Sequence, residues 1–165
     1  MTITRLVVII LLALLAGVSP HSRALAAPTV GIHLHTWHPD RMGCAVWDQE
    51  FYTSGRWDWW ETRCRDETPG VYIRGERWIG GLYRNSIGKN SVYFGRTWRV
   101  RQFGPMTVDT TIFAVTGYGR YPVRPSAAIA LGFPLTERVK LQIIPIPPLG
   151  NWSPAALHFA LEFAP

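Results

Sequence analysis

His38 and Ser86 are the side chains of this sequence best suited to covalent chemistry on an ester. An imidazole that takes the hydroxyl proton turns a serine oxygen into a nucleophile towards a carbonyl carbon. A third polar group normally holds the imidazole in one tautomer. Asn85, beside Ser86, can do so by hydrogen bonding but has no charge to stabilise an imidazolium, whereas Asp40 or Asp66 has. The same residues also read as plain structure. His38 follows Trp37, an interfacial pairing, and Asn85-Ser86 shortly before Gly88 has the composition of a turn.

A second group is the cysteines. Cys44 and Cys64 are the only two in the chain. In an oxidising compartment they bridge, and a closed loop of this length contributes roughly 3 kcal/mol by restricting the unfolded chain. Free thiols and a zinc site with His33, His35 and His38 are the rival readings, although no close Cys pair with ligand spacing is present. His33 and His35 share a strand face with Trp37 by alternation, where packing is the plainer role. Arg41, Arg56, Arg63 and Arg65 could meet anionic head groups or simply be solvated. Nothing in the sequence calls for a cofactor.

Residues so far apart must be brought together by the elements between them. Beyond Val30 the recurring pattern is period two, the strand signal. Leu157, Phe159, Leu161 and Phe163 point one way, and His158, Ala160 and Glu162 the other. Val139, Leu141 and Ile143 alternate with Arg138, Lys140 and Gln142. Eight strands are predicted: Val30–His38, Gly70–Arg74, Arg77–Asn85, Ser91–Trp98, Val108–Tyr118, Ala127–Leu135, Arg138–Ile144 and Ala155–Phe163. Gly and Pro punctuate them. Eight antiparallel strands suit a closed up-and-down β-barrel. Its large residues face inward in a water-soluble barrel and outward in a membrane barrel. With both ends on one side, the connections 39–69, 86–90, 119–126 and 145–154 share the opposite mouth, which places His38 and Ser86 at one rim.

Ahead of the strands, Arg5 precedes an apolar run from Leu6 to Val18, and Ala24-Leu25-Ala26 supplies small residues for cleavage. This is the pattern of a secretory signal, 1–26, leaving a single domain over 27–165 with a long outer loop, 39–69. The run is too short for a helical membrane anchor. The chain has 17 Lys+Arg against 11 Asp+Glu. Losing Arg5 and Arg23 leaves 15 against 11, a mild +4 that does not suit a nucleic-acid binder. Aromatics at 13% exclude a disordered chain. Export, strands and an alternating aromatic C-terminal strand together favour an outer-membrane barrel, expected as a monomer. A soluble periplasmic barrel is the alternative.

The order of several segments resembles the outer-membrane lipid A palmitoyltransferase family. Thr36-Trp37-His38 followed by Arg41 is similar to the family's Thr-Trp-His near the end of strand one. Gly80-Gly81-Leu82-Tyr83-Arg84-Asn85-Ser86 resembles its Gly-Leu-Tyr segment leading to Asp-Ser. Tyr93–Trp98, Ala114-Val115-Thr116 with Arg120, Ile144-Pro145 and Leu157–Phe163 resemble its later strands. The resemblance implies an eight-stranded barrel moving an acyl chain from phospholipid to lipid A, with His38, Asn85 and Ser86 in the family's His, Asp and Ser positions. It also implies room for a chain inside, left by Gly81, Gly95, Ala130 and Gly132. The family's Asp is Asn85 here. A barrel that has kept the scaffold without the activity, binding lipid or modulating the cell surface, is the second functional reading.

Overall fold

A computed structural model describes residues 27–39, 44–47, 59–118, 122–147 and 154–165. The expected signal segment, Asp40, Arg41, Arg56 and Arg120 lie outside these residues. Among the described residues there are ten strands: β1 (Thr29–Trp37), β2 (Cys44–Trp47), β3 (Trp59–Thr62), β4 (Glu67–Arg74), β5 (Trp78–Arg84), β6 (Asn90–Phe103), β7 (Met106–Thr116), β8 (Val123–Pro134), β9 (Val139–Ile146) and β10 (Ala156–Phe163). Eight of them close into an antiparallel barrel in the order β1-β10-β9-β8-β7-β6-β5-β4. The remaining pair, β2 and β3, is a separate hairpin inside the segment expected as loop 39–69. Its four-residue strands are too short for the alternation to register against a Trp-rich background.

The barrel's sidedness follows from which half of each alternation is polar. Register places Phe133, Leu141, Leu161, Ile32, Val71, Leu82 in one continuous outward row of cross-strand neighbours. Val71 and Leu82 are 49% and 57% exposed, and Phe94 on β6 is 65% exposed. The inward row opposite is the polar one. Thr97, Asp109, Gln142, His158 and Glu162 are buried. Apolar side chains therefore coat the outside, and charged and hydrogen-bonding groups fill the inside.

The lower half of the lumen, towards Phe163 and Arg74, is bridged by ions. Arg74 on β4 meets Asp109 on β7 at 2.7 Å, across the lumen, and Glu162 on β10 at 3.5 Å. Arg99 Nε donates to Asp109 at 3.2 Å, and Lys140 lies 3.4 Å from Glu162. Gln142 and the Tyr72 hydroxyl also donate to Glu162. Above them sits a cluster of Tyr72, Tyr93, Val115 and Ala160. An eight-stranded barrel is just wide enough for side chains to fill.

This filling corrects the expectation that small residues leave room for a chain. A Cβ on Gly81 would lie 2.7 Å from Tyr72 Cβ, and one on Gly132 2.8 Å from Lys140 Cδ. The space beside Gly95 belongs to Phe113, and that beside Gly31 to the Tyr72 ring. These glycines exist so that bulky neighbours can cross the lumen. Gly31→Ala is accordingly expected to lower stability by about 1–3 kcal/mol through overpacking. Urea unfolding would show the loss, and Tyr72→Leu in the same chain would recover part of it.

β1 carries a second correction. Its pairing with both β10 and β4 slips between His33 and His35. One extra residue, Leu34, turns the alternation over. His33 is buried in the lumen while His35 and Trp37 face outward, so the two histidines do not share a face.

Candidate functional site

At one mouth of the barrel, β1 ends at Trp37 and delivers His38, 3% exposed. The chain returns from the β2–β3 hairpin through Cys64, Arg65 and Asp66 into β4. That return segment is strapped on both sides. The Thr36 amide donates to the Asp66 carbonyl at 2.7 Å, and the Arg65 amide donates to the Ser86 carbonyl at 2.8 Å. Asp66 Oδ1 accepts from His38 Nδ1 at 3.0 Å. A carboxylate can only accept, so Nδ1 carries a proton, and in the neutral ring the other nitrogen then keeps its lone pair. Asp66 fixes the tautomer that a general base requires.

Ser86 thus lies at the same mouth as His38, separated by the two-residue span Arg65–Asp66 that touches both. The structure gives the imidazole a bond to Asp66 and none to Ser86. Asn85 is placed differently from an orienting group. Its Nδ2 donates to Ser91 Oγ at 3.0 Å and to the Gly117 carbonyl at 2.9 Å. Its Oδ1 accepts from the amides of Ile87 and Lys89. Every hydrogen-bonding atom of this fully buried side chain is used to close the 85–89 turn and to tie it to the end of β7. The sequence supplied this signal as turn composition; Asp66 it offered only as one of two carboxylates.

The sulfurs of Cys44 and Cys64 form a disulfide with Cα atoms 5.2 Å apart. This bridge joins the first residue of β2 to the residue two positions before Asp66, so it anchors the strap from outside. Tyr83 and Tyr118 share a hydrogen bond of 2.6 Å near the same mouth. Burial pushes the Tyr118 phenol above its ordinary pKa, so it stays protonated.

Below the mouth, a chain of hydrogen bonds crosses the lumen. Thr68 Oγ1 meets Thr36 Oγ1 at 2.8 Å, Thr36 meets His158 Nδ1 at 2.7 Å, His158 Nε2 meets His33 Nδ1 at 2.7 Å, and His33 Nε2 meets the Tyr93 hydroxyl at 2.9 Å. His33 and His158 are therefore structural partners of one another, each satisfied on both ring nitrogens.

The wall itself is interrupted at this end. β8 and β9 pair only from Leu131↔Ile143 to Pro134↔Lys140. Both strands run on, β8 back to Val123 and β9 forward to Ile146, with no further pair between them. Pro125 and Pro145 lie in these unpaired stretches and lack the amide a ladder needs. Ala128 and Ala130 flank the gap with small side chains.

No family model matches the chain, and no curated protein matches it either. Fold and site nevertheless define a class: a closed eight-stranded β-barrel with a polar, charge-bridged interior and a buried histidine paired with a half-buried aspartate at one mouth.

Proposed function

We propose that the protein is an outer-membrane barrel that moves a fatty acyl chain from a phospholipid to lipid A at its outer rim. His38, held by Asp66, takes the Ser86 proton. The serine oxygen attacks the phospholipid ester, the lysophospholipid leaves with a proton from His38, and a hydroxyl of the acceptor then receives the acyl group by the reverse sequence. The observation that carries this reading is the His38–Asp66 bond, formed at the mouth where the Ser86 turn also lies and where the β8–β9 seam is unzipped. The seam gives a lipid chain a sideways approach to this mouth from the outer face of the barrel, since side chains fill the lumen below it.

Expression of the wild type in a lipid A-producing host is the direct test. Lipid A gaining the mass of one acyl chain, with the gain absent for His38→Ala and Ser86→Ala, is the expected result; an unchanged lipid A spectrum overturns it. The complete engagement of Asn85 in its turn favours the second reading, a barrel that binds lipid at the surface without turnover. That reading predicts unchanged lipid A with wild type and both variants.

The membrane part of the proposal is supported by sidedness and has its own test. A lipid-facing Arg near mid-bilayer costs about 2–4 kcal/mol. Leu161→Arg, in the middle of the outward row, is expected to lose about that much in vesicle-based unfolding. A soluble barrel would accept an Arg on its outside with little change, and it would leave with the supernatant on carbonate extraction.

A further inference from the structure

Beyond the acyl-transfer reading, and independent of it, we propose that Cys44, Cys64 and His38 form a zinc site that exists only when the disulfide is reduced. The two sulfurs and a ring nitrogen of His38 all lie within 4.8 Å of one another, and all three residues are buried. Thiolates and an imidazole bound to one tetrahedral zinc sit about 3.6–3.8 Å apart, which follows from bond lengths of roughly 2.3 and 2.0–2.1 Å. Small side-chain movements reach that geometry from the oxidised state.

Two features keep the set in place once the S–S bond opens. Cys44 pairs with Thr62 in the β2–β3 ladder, and Cys64 follows two residues later, so backbone hydrogen bonds hold the cysteines side by side. Asp66 accepts the Nδ1 proton of His38 at 3.0 Å. A histidine that ligates zinc through one nitrogen commonly gives the other N–H to a carboxylate, which fixes the ring and raises its basicity. With zinc on Nε2, Asp66 on Nδ1 would supply that second layer. Two cysteines and one histidine leave the fourth position open to water, as in zinc centres that exchange ligands.

The chemistry balances with a dithiol as reductant. The dithiol gives two electrons and two protons to the Cys44–Cys64 bond and becomes a disulfide itself. Zinc then displaces the two thiol protons and takes the His38 lone pair. Oxidised, the rim has a free imidazole lone pair and no metal; reduced and loaded, that lone pair is spent on zinc. Redox state thereby decides whether His38 can act as a base.

The test uses the full-length protein in detergent micelles, with cobalt(II) as the optical probe. After treatment with a phosphine reductant that does not compete for the metal, one equivalent of cobalt is expected to give thiolate-to-cobalt charge transfer and tetrahedral d–d bands, both erased by zinc. The oxidised protein should give neither. His38→Ala and Cys64→Ser should each weaken binding at least tenfold, and Asp66→Asn about 10–100-fold with stoichiometry unchanged. Heat-modifiable gel mobility in the same reduced sample should persist. Absence of the bands in reduced wild type, equal affinity in His38→Ala, or loss of the barrel on reduction would each overturn the site. None of these readouts involves acyl transfer, so the two proposals stand or fall separately.

Discussion

Asp109→Ala is expected to lower the unfolding free energy by about 3–5 kcal/mol, the cost of removing one partner from a buried ion pair. Asp109 is fully buried and faces two guanidinium groups, Arg74 at 2.7 Å and Arg99 at 3.2 Å. Glu162 is the other carboxylate of the cluster, and it already serves Arg74, Lys140, Gln142 and Tyr72. With Asp109 present this cluster holds three cations against two anions. Without it the imbalance doubles, in a compartment closed by the strands. Arg99 is partly exposed and can turn to water, whereas Arg74 cannot. Pairing Asp109→Leu with Arg74→Met is therefore expected to cost much less than Asp109→Ala alone, because the uncompensated charge goes with its partner. Urea titration of the protein in lipid vesicles, followed by tryptophan fluorescence, would separate the two variants. Equal losses for the single and double variants would mean that the pair is held by its surroundings rather than by mutual attraction.

The barrel was legible because period-two alternation is local. Leu157 to Phe163 and Val139 to Ile143 declare two faces with no knowledge of their neighbours, and eight such runs call for closure. Which face looks outward was less plain, since both arrangements are periodic. Lys140, Gln142 and Glu162 decide it only when they are found meeting one another inside the ring, with Arg74 on Glu162. The ion pairs of Arg74 with Asp109 and Glu162 join strands that are not neighbours in the ring, and their formation depends on strand stagger, which the sequence does not display. The slip at Leu34 is invisible for a related reason. A bulge adds one residue without any special residue type, and it reverses His35 and Trp37 relative to His33. The gap between β8 and β9 has a partial signal in Pro125 and Pro145, legible as turn or edge residues but not as a seam. At the site, loop parity was enough to bring His38 and Ser86 to one mouth. Choosing Asp66 required the strap through Thr36 and Ser86, a contact made by backbone amides that carry no sequence mark.

Asp66 and Asn85 give the sharpest contrast for the proposed chemistry. Asp66→Asn should lower acyl transfer on the order of 10³–10⁴-fold with the barrel intact, because an amide can present either an acceptor or a donor to Nδ1 and no longer holds the imidazole in its basic tautomer. The counterpart, Asn85→Asp, restores the residue that the resemblance implies and is nonetheless expected to lower stability rather than raise activity. An ionised carboxylate cannot donate, so Gly117 O would lose its 2.9 Å partner at the end of β7 and face a negative charge. Ser91 Oγ could reverse its hydroxyl and donate, but the carbonyl has no such freedom. One unsatisfied buried acceptor costs about 1–3 kcal/mol. Measured together, turnover from lipid mass spectra and stability from urea titration, the two variants should part cleanly: Asp66→Asn slow and stable, Asn85→Asp destabilised with no gain in rate. The reverse outcome, gain of transfer in Asn85→Asp and none lost in Asp66→Asn, would transfer the orienting role to position 85 and require His38 to leave Asp66 before the ester is attacked.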